Sequence, residues 1–242
     1  MKLTVLGNNG PFPAAGGACS GYLINERDTN ILIDCGNGAL SNLQKIISFE
    51  RLDAIVLTHL HSDHISDMFV LKYAVQIKRK RGQMERLLKV YAPPEPKPEF
   101  ESLDVKDAFD LQPIYSDLEL KIDNITVTFK EMTHPFKDFG VAMQCSGKRF
   151  VFSGDTSWND RIVSFARDAD LLLLDAGLLN RDYAPNSPHL TAEQCGRIAD
   201  EARAKRLLLT HLWPEYDVNE LLKEAGRNDR TQIAQLLNEY EI

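Results

Sequence analysis

No run in this 242-residue chain approaches the roughly 18 consecutive apolar residues that a membrane span needs, and the opening Met1-Lys2-Leu3-Thr4-Val5-Leu6 is too short for the apolar core of a secretion signal. Cysteine is scarce. Cys19, Cys35, Cys145 and Cys195 show no CxxC spacing and sit among apolar or small residues, which reads as reduced core thiols in a cytoplasmic protein and argues against a disulfide framework. Positive charge is in deficit too: the formal net charge is -7, so phosphates would be repelled, and broad attachment to nucleic acid or anionic lipid is not expected. Short-period repeats and low-complexity segments are also missing. What is present, 43% hydrophobic residues, can fill a sizeable core, and residues 1–242 read as one domain.

The first half reads as short strands, Lys2 to Leu6, Gly21 to Asn25 and Asn30 to Asp34, with a Gly/Pro/Ala-rich loop from Gly7 to Ala18. Leu40, Leu43, Ile46 and Ile47 fall at helical spacing within Ala39 to Ser48. There follow an apolar run from Asp53 to Thr58, a helix from Ile65 to about Lys78, a strand from Leu88 to Ala92, a stiff connection from Pro93 to Pro98, and a short helix within 99–110. The second half repeats the order. Strands at Leu118 to Ile122, Ile125 to Met132, Val141 to Cys145 and Arg149 to Ser153 precede a helix from Trp158 to Arg167 and an apolar strand from Asp170 to Leu174. A helix from Thr191 to Ala202 opens with a Thr-x-x-Gln capping box, Arg206 to Thr210 is another strand, and the tail from Asp217 reads as mostly helical. Strands first and helices later, in two rounds, predict two packed sheets with helices on both outer faces.

Residues 59 to 64 read His-Leu-His-Ser-Asp-His directly after the apolar run, so three imidazoles and a carboxylate leave the end of a buried strand. Residues i and i+2 there project to one side, which lets His59 and His61 grip one ion, while Asp63 and His64, a turn later, reach a second. No packing requirement produces this spacing. His134, Asp155 and His211 each follow an apolar run as well. The seven side chains suffice for two ions once Asp155 and a hydroxide bridge them. Two divalent cations against two aspartates and neutral imidazoles leave about +2, which calls for an anionic substrate. The donor set suits zinc and also accepts manganese or iron.

With His59-x-His61-x-Asp63-His64, His134, Asp155 and His211 in this order, the chain resembles the metallo-β-lactamase superfamily along nearly its whole length. The resemblance implies an α/β protein, a four-layer αβ/βα sandwich with the site at one edge of the two sheets. It implies one ion held by His59, His61 and His134, a second by Asp63, His64 and His211, and Asp155 between them. Asp34, in Leu32-Ile33-Asp34-Cys35-Gly36, would orient the histidine-bearing loop from behind the ligands. Ser153-Gly154-Asp155-Thr156 and His189-Leu190-Thr191-Ala192-Glu193-Gln194 resemble the ribonuclease Z branch and its small phosphodiesterase relatives. That likeness places His189 against the scissile phosphate as proton donor and oxyanion stabiliser. The tRNA-processing members carry a long Gly/Pro-containing arm between these two elements. Here about 34 residues separate Asp155 from His189, and a helix, a strand and the loop Ala176 to Pro188 use them up. The loop Gly7 to Gly17 also differs from the Gly-rich, Arg-containing loop of a ribonuclease Z.

The expected activity is hydrolysis of a small or nucleotide-like phosphodiester by a hydroxide bridging two divalent ions, with Asp63 as ligand and proton acceptor and His189 assisting the leaving group. Hydrolysis of a carboxylic ester, a lactone or thioester, is the alternative in the same fold, although lactonases place a Tyr shortly after the bridging Asp, where this chain has Trp158. A ribonuclease Z-like RNA endonuclease is disfavoured by the missing arm and the acidic charge, and a non-catalytic sensor by the complete ligand set. The expected partner is a small anionic substrate, with no membrane and no extended nucleic acid; a homodimer rests on resemblance alone. Singly, His134, His189 or His211 would read as a hydrogen-bonded structural residue, and Asp34 as a turn carboxylate. Lys78-Arg79-Lys80-Arg81 reads as the solvated end of a helix, favoured by the macrodipole, rather than as a nucleic-acid patch. Trp158 and Trp213, each within three residues of a ligand candidate, fit either a pocket floor or the core.

Overall fold

Apolar residues at successive strand positions need partners on both faces, and the chain supplies them with two sheets and two sets of helices. A computed structural model describes residues 1–226 and 228–242. The first half forms β1 (Lys2–Gly7), β2 (Gly21–Glu26), β3 (Thr29–Ile33), α1 (Ala39–Ile46), β4 (Ala54–Val56), α2 (Ser62–Ile65), α3 (Met68–Lys80), β5 (Leu88–Ala92), α4 (Lys97–Ser102) and β6 (Phe109–Pro113). The second forms β7 (Glu119–Ile122), β8 (Ile125–Glu131), β9 (Phe139–Cys145), β10 (Lys148–Phe152), α5 (Asp160–Phe165), β11 (Leu171–Asp175), α6 (Ala192–Glu201), β12 (Leu207–Thr210), α7 (Val218–Ala225), β13 (Thr231–Ile233) and β14 (Glu239–Glu241). Among the described residues the sheets run β14-β1-β2-β3-β4-β5-β6 and β13-β12-β11-β10-β9-β8-β7. Strands β3 to β6 are mutually parallel, as are β10 to β13. Only β14 leaves its half: it returns to β1, with Lys2 opposite Glu241.

Alternation along single strands divides the apolar residues among three cores. Leu171 and Leu173 join Val5, Ile24, Ile33, Val141 and Phe152 between the two sheets. Leu172 and Leu174 face the other way, onto Ile162 of α5, Ile198 of α6 and Leu221 of α7. On the outside of the first sheet, Leu32 and Ile55 meet Leu43 of α1 and Leu71 and Val75 of α3. The result is the four-layer αβ/βα sandwich. No described helix is long and apolar enough to cross a membrane, and all four cysteines are buried and free.

Several boundaries differ from the sequence expectation. The helix expected over Ile65 to Lys78 is two helices, α2 and α3, separated at Ser66 and Asp67. Within 99–110 the helix covers only the start, and β6 follows, because Leu88 to Ala92 offers a parallel edge that Phe109 to Pro113 fills. The helix expected over Trp158 to Arg167 shrinks to Asp160–Phe165, capped by the Asn159 side chain on the Ile162 N–H. The tail is the largest correction. After α7 it carries two strands, since β12 exposes a parallel edge that takes β13, and Leu237 adopts a left-handed φ of 63° that no helix tolerates. Position 227, inside that helical expectation, lies outside the described residues. The basic run is bound to its own chain: Lys78 pairs with Glu50 at 2.8 Å, and Arg79 donates to the Glu85 carbonyl.

Packing through β11 gives a direct test. Leu173→Ala should lower the unfolding free energy by about 2–5 kcal/mol, read as a shifted urea midpoint, whereas Val70→Ala on the exposed face of α3 should change it by less than about 0.5 kcal/mol. Equal midpoints for the two variants would mean that the sheets do not pack through Leu173.

Candidate metal centre

Strands buried on both faces can carry polar chemistry only where they end. The parallel strands β3, β4, β10, β11 and β12 do so within three residues of their last position: Asp34 after β3, Thr58 and His59 after β4, Asp155 after β10, Asp175 at the end of β11, and His211 after β12. Three of these exits turn through left-handed backbone, at Asp34 (φ 55°), Gly154 (φ 63°) and His211 (φ 54°). A Cβ at Gly154 would also lie 2.2 Å from Asp138 Oδ1, so glycine is required there for both reasons. Asp63 and His64 ride on α2, whose His64 carbonyl accepts from the Cys35 N–H. His134 sits in the loop after β8, closed by a bond from the Met132 N–H to the Asp138 carbonyl. His189 is placed by Leu178, which bonds to Leu190 and Ala192 on either side of the capping box at Thr191 and Gln194.

The structure brings all seven ligand candidates together in two groups. His61 Nδ1 lies 3.0 Å from His59 Nε2 and 3.1 Å from His134 Nε2. His211 Nε2 lies 3.1 Å from both Asp63 Oδ2 and Asp155 Oδ2, and His64 Nε2 lies 3.4 Å from Asp155 Oδ2. Asp155 Oδ2 is also 3.7 Å from His59 Nε2, so this carboxylate stands between the groups. Ligands about 2.0–2.1 Å from a tetrahedral ion sit about 3.3 Å apart, which is the spacing found. Two atoms in these groups have no other use: His64 Nε2 and Asp155 Oδ1 are buried without a hydrogen-bond partner. The residues therefore fit divalent metal ions.

Electrostatics point the same way. Burial, followed by the charge on neighbouring imidazoles, lowers His61 to about 4 and His59 well below its usual range, and burial lowers His134, so these rings offer lone pairs at neutral pH. Burial would raise Asp155, but His211 and His64 outweigh it and hold the carboxylate well below the usual range. Burial would lower His189, but the Asp175 carboxylate outweighs it and raises the ring to about 9. His189 Nδ1 bonds Asp175 Oδ2 at 2.8 Å, and its ring stacks on His211 at 4.8 Å.

Asp34 lies directly behind the ligand candidates: its carboxylate takes His64 Nδ1 at 2.8 Å and accepts from the Thr58 N–H and hydroxyl. Two residues of the same kind escaped the sequence reading. Asp138 takes His59 Nδ1 at 2.8 Å and the Asp155 N–H; Asp175 takes His189 and reaches His211 Nδ1 at 3.5 Å. Asp175 had a signal, since Leu174-Asp175-Ala176-Gly177 repeats the pattern Ile33-Asp34-Cys35-Gly36. Asp138 had none, lying in a loop that only the tertiary fold closes. Neither tryptophan lines the cavity. Trp158 packs on the outer core beneath Arg197 at 4.4 Å, and Trp213 meets Phe12.

The groups open into a cavity of about 410 Å³ walled by His61, Asp63, His134, Asp155, His189 and His211, with Ser62 and three prolines, Pro11, Pro135 and Pro188, completing the wall. A larger hollow of about 570 Å³ beside α3 holds one acidic residue and no histidine. If Asp138 orients His59, Asp138→Asn should weaken metal retention about 10–100-fold, read as the chelator concentration that strips the protein, with the fold followed by circular dichroism. An unchanged stripping midpoint would detach Asp138 from the centre.

Comparison with known proteins places this arrangement. The model of the beta-lactamase superfamily domain matches residues 29–212. The probable metallo-hydrolase YhfI of Bacillus subtilis is 35% identical over 227 residues, 94% of this chain and 93% of that protein. Its crystal structure superposes with a TM-score of 0.95 at 33% identity, covering 99% of this chain and 98% of that one. Ribonuclease Z of Archaeoglobus fulgidus is 26% identical over 310 aligned positions, covering 100% of this chain and 98% of its own. A diphosphatase of the PhnP family shares the fold, with a TM-score of 0.78 at 19% identity over 100% of this chain and 97% of its own. The chain belongs to the beta-lactamase superfamily and is a metal-dependent hydrolase of the metallo-β-lactamase fold.

Proposed function

We propose that residues 1–242 act as one domain that hydrolyses a small phosphodiester at this centre. His59, His61 and His134 would hold one divalent ion, zinc by preference, and Asp63, His64 and His211 the other, with Asp155 standing between the two groups. When bound, the ions would supply an acidified water and positive charge beside the phosphoryl oxygens. Asp63, in the cavity wall, accepts the proton that the attacking water loses. His189 gives its Nε2 proton to the oxygen that leaves as the phosphorus–oxygen bond breaks, and Asp175 keeps that ring charged and aimed. Asp34 and Asp138 fix the tautomers of His64 and His59, so each presents Nε2 to its ion.

The single observation that carries this reading is the His189–Asp175 pair, an imidazole in the cavity wall bonded to a buried carboxylate at 2.8 Å and stacked on His211. A phosphodiester needs such a donor, because its expelled alkoxide is a poor leaving group and its transition state gathers negative charge. A carboxylic ester needs it less. Among the described residues no lysine or arginine lines the cavity to meet a second phosphate, which favours a singly charged diester over a polyanion. The alignment with ribonuclease Z runs to 310 positions against 242 residues here, which supports the absence of a substrate-gripping arm.

His189→Ala should cut kcat about 10²–10³-fold on a diester with a nucleoside leaving group, and much less on bis-p-nitrophenyl phosphate, whose p-nitrophenolate departs without a proton. Turnover of a small lactone should be nearly unaffected. Rapid lactone hydrolysis without activity on either diester would reverse the proposal in favour of the carboxylic ester.

A further inference from the structure

Beside the centre lies an aromatic pair that belongs to none of the three cores. Phe12 is 42% exposed and meets the Trp213 ring edge-on, with centroids 5.2 Å apart and planes at 84°. Both residues are tied to the cavity. Phe12 follows Pro11, a wall residue, and Trp213 stands two positions after His211. The two segments are zipped together: the Leu212 N–H donates to the Asn8 carbonyl at 2.8 Å, and the Gly10 N–H and Asn9 side chain both donate to the Leu212 carbonyl. Gly10 lies so close to the His211 ring that a Cβ would come within 2.0 Å of it. The Trp213 Nε1–H is turned toward the Glu215 carboxylate, which leaves the rest of the indole as apolar surface.

Part of the cavity wall has the same character: Pro135 and Pro188 offer no N–H, and Phe136, next to Pro135, meets the His61 ring at 3.9 Å. A substituent extending from the phosphorus toward Pro11 and past it thus meets the flat apolar surface of Phe12 and Trp213. Such surface favours a planar ring, since stacking on an aromatic side chain is tolerant of the ring's identity. Resting on the phosphodiester reading above, we propose that Phe12 and Trp213 are specificity-determining residues that select a diester whose retained group is a planar aromatic, of nucleobase or aryl type.

The test uses three diesters that share a p-nitrophenolate leaving group and differ in the retained ester: methyl, phenyl and thymidine. Intrinsic reactivity cancels when each aromatic-to-methyl ratio of kcat/KM is compared between variants. Phe12→Ala and Trp213→Ala should each lower that ratio about tenfold, while Phe12→Tyr should retain it. Whether the phenyl or the thymidine ratio falls further identifies the kind of ring, and a fall in either supports the inference. A ratio unchanged in both alanine variants, or lost equally in Phe12→Tyr, would overturn it. Absence of turnover on all three by the unaltered, metal-loaded protein would instead defeat the phosphodiester reading, and this inference with it.

Discussion

Short contacts between imidazole Nδ1 atoms and buried carboxylates are the interactions on which the centre depends. Asp138 with His59, Asp34 with His64 and Asp175 with His189 each span 2.8 Å. A carboxylate out of water is costly unless its oxygens are satisfied. Here the N–H groups of Thr58, Asp155, Thr156 and Gly177 donate to Asp34, Asp138 and Asp175, and they belong to the strand exits that deliver the ligand candidates. Chain direction and ring orientation are therefore fixed by one set of bonds. A shift of an exit moves a carboxylate, and a shift of the carboxylate turns a ring.

Double burial of the sheets imposes the location. Leu171 to Leu174 face alternately the inter-sheet core and the helices, so no position inside β11 can carry a charge until Asp175. The same holds for β3 before Asp34 and β12 before His211. Parallel neighbours end at one edge, so chemistry displaced from the strand interiors accumulates there. The left-handed exits at Asp34 and His211 are local strain retained where the side chain must turn sharply back toward the centre.

Much of this was legible in the sequence because both signals were local. The apolar runs announced the strands, and the histidines and aspartates announced themselves by following those runs immediately. Less legible were features set by partners distant in the chain. Thr231 to Ile233 is a strand only because β12 leaves an open edge, and Phe109 to Pro113 only because β5 does. Asp138 is tied to His59 across 79 positions of sequence, a pairing no spacing rule encodes. Asp175 ends an apolar strand much as Asp34 follows one, but no histidine stands beside it in sequence to mark it.

Asp175 serves two rings at once, with Oδ2 on His189 and Oδ1 toward His211. His189 and His211, the proton donor and one ion holder of the proposed reaction, thus hang from a single hinge at the end of β11. A drift of that strand carries both together, so the gap between the bond being broken and the charge that assists its breaking is geared rather than adjustable. Divergence toward new substrates would then leave this gear alone and proceed through the loops that frame the mouth.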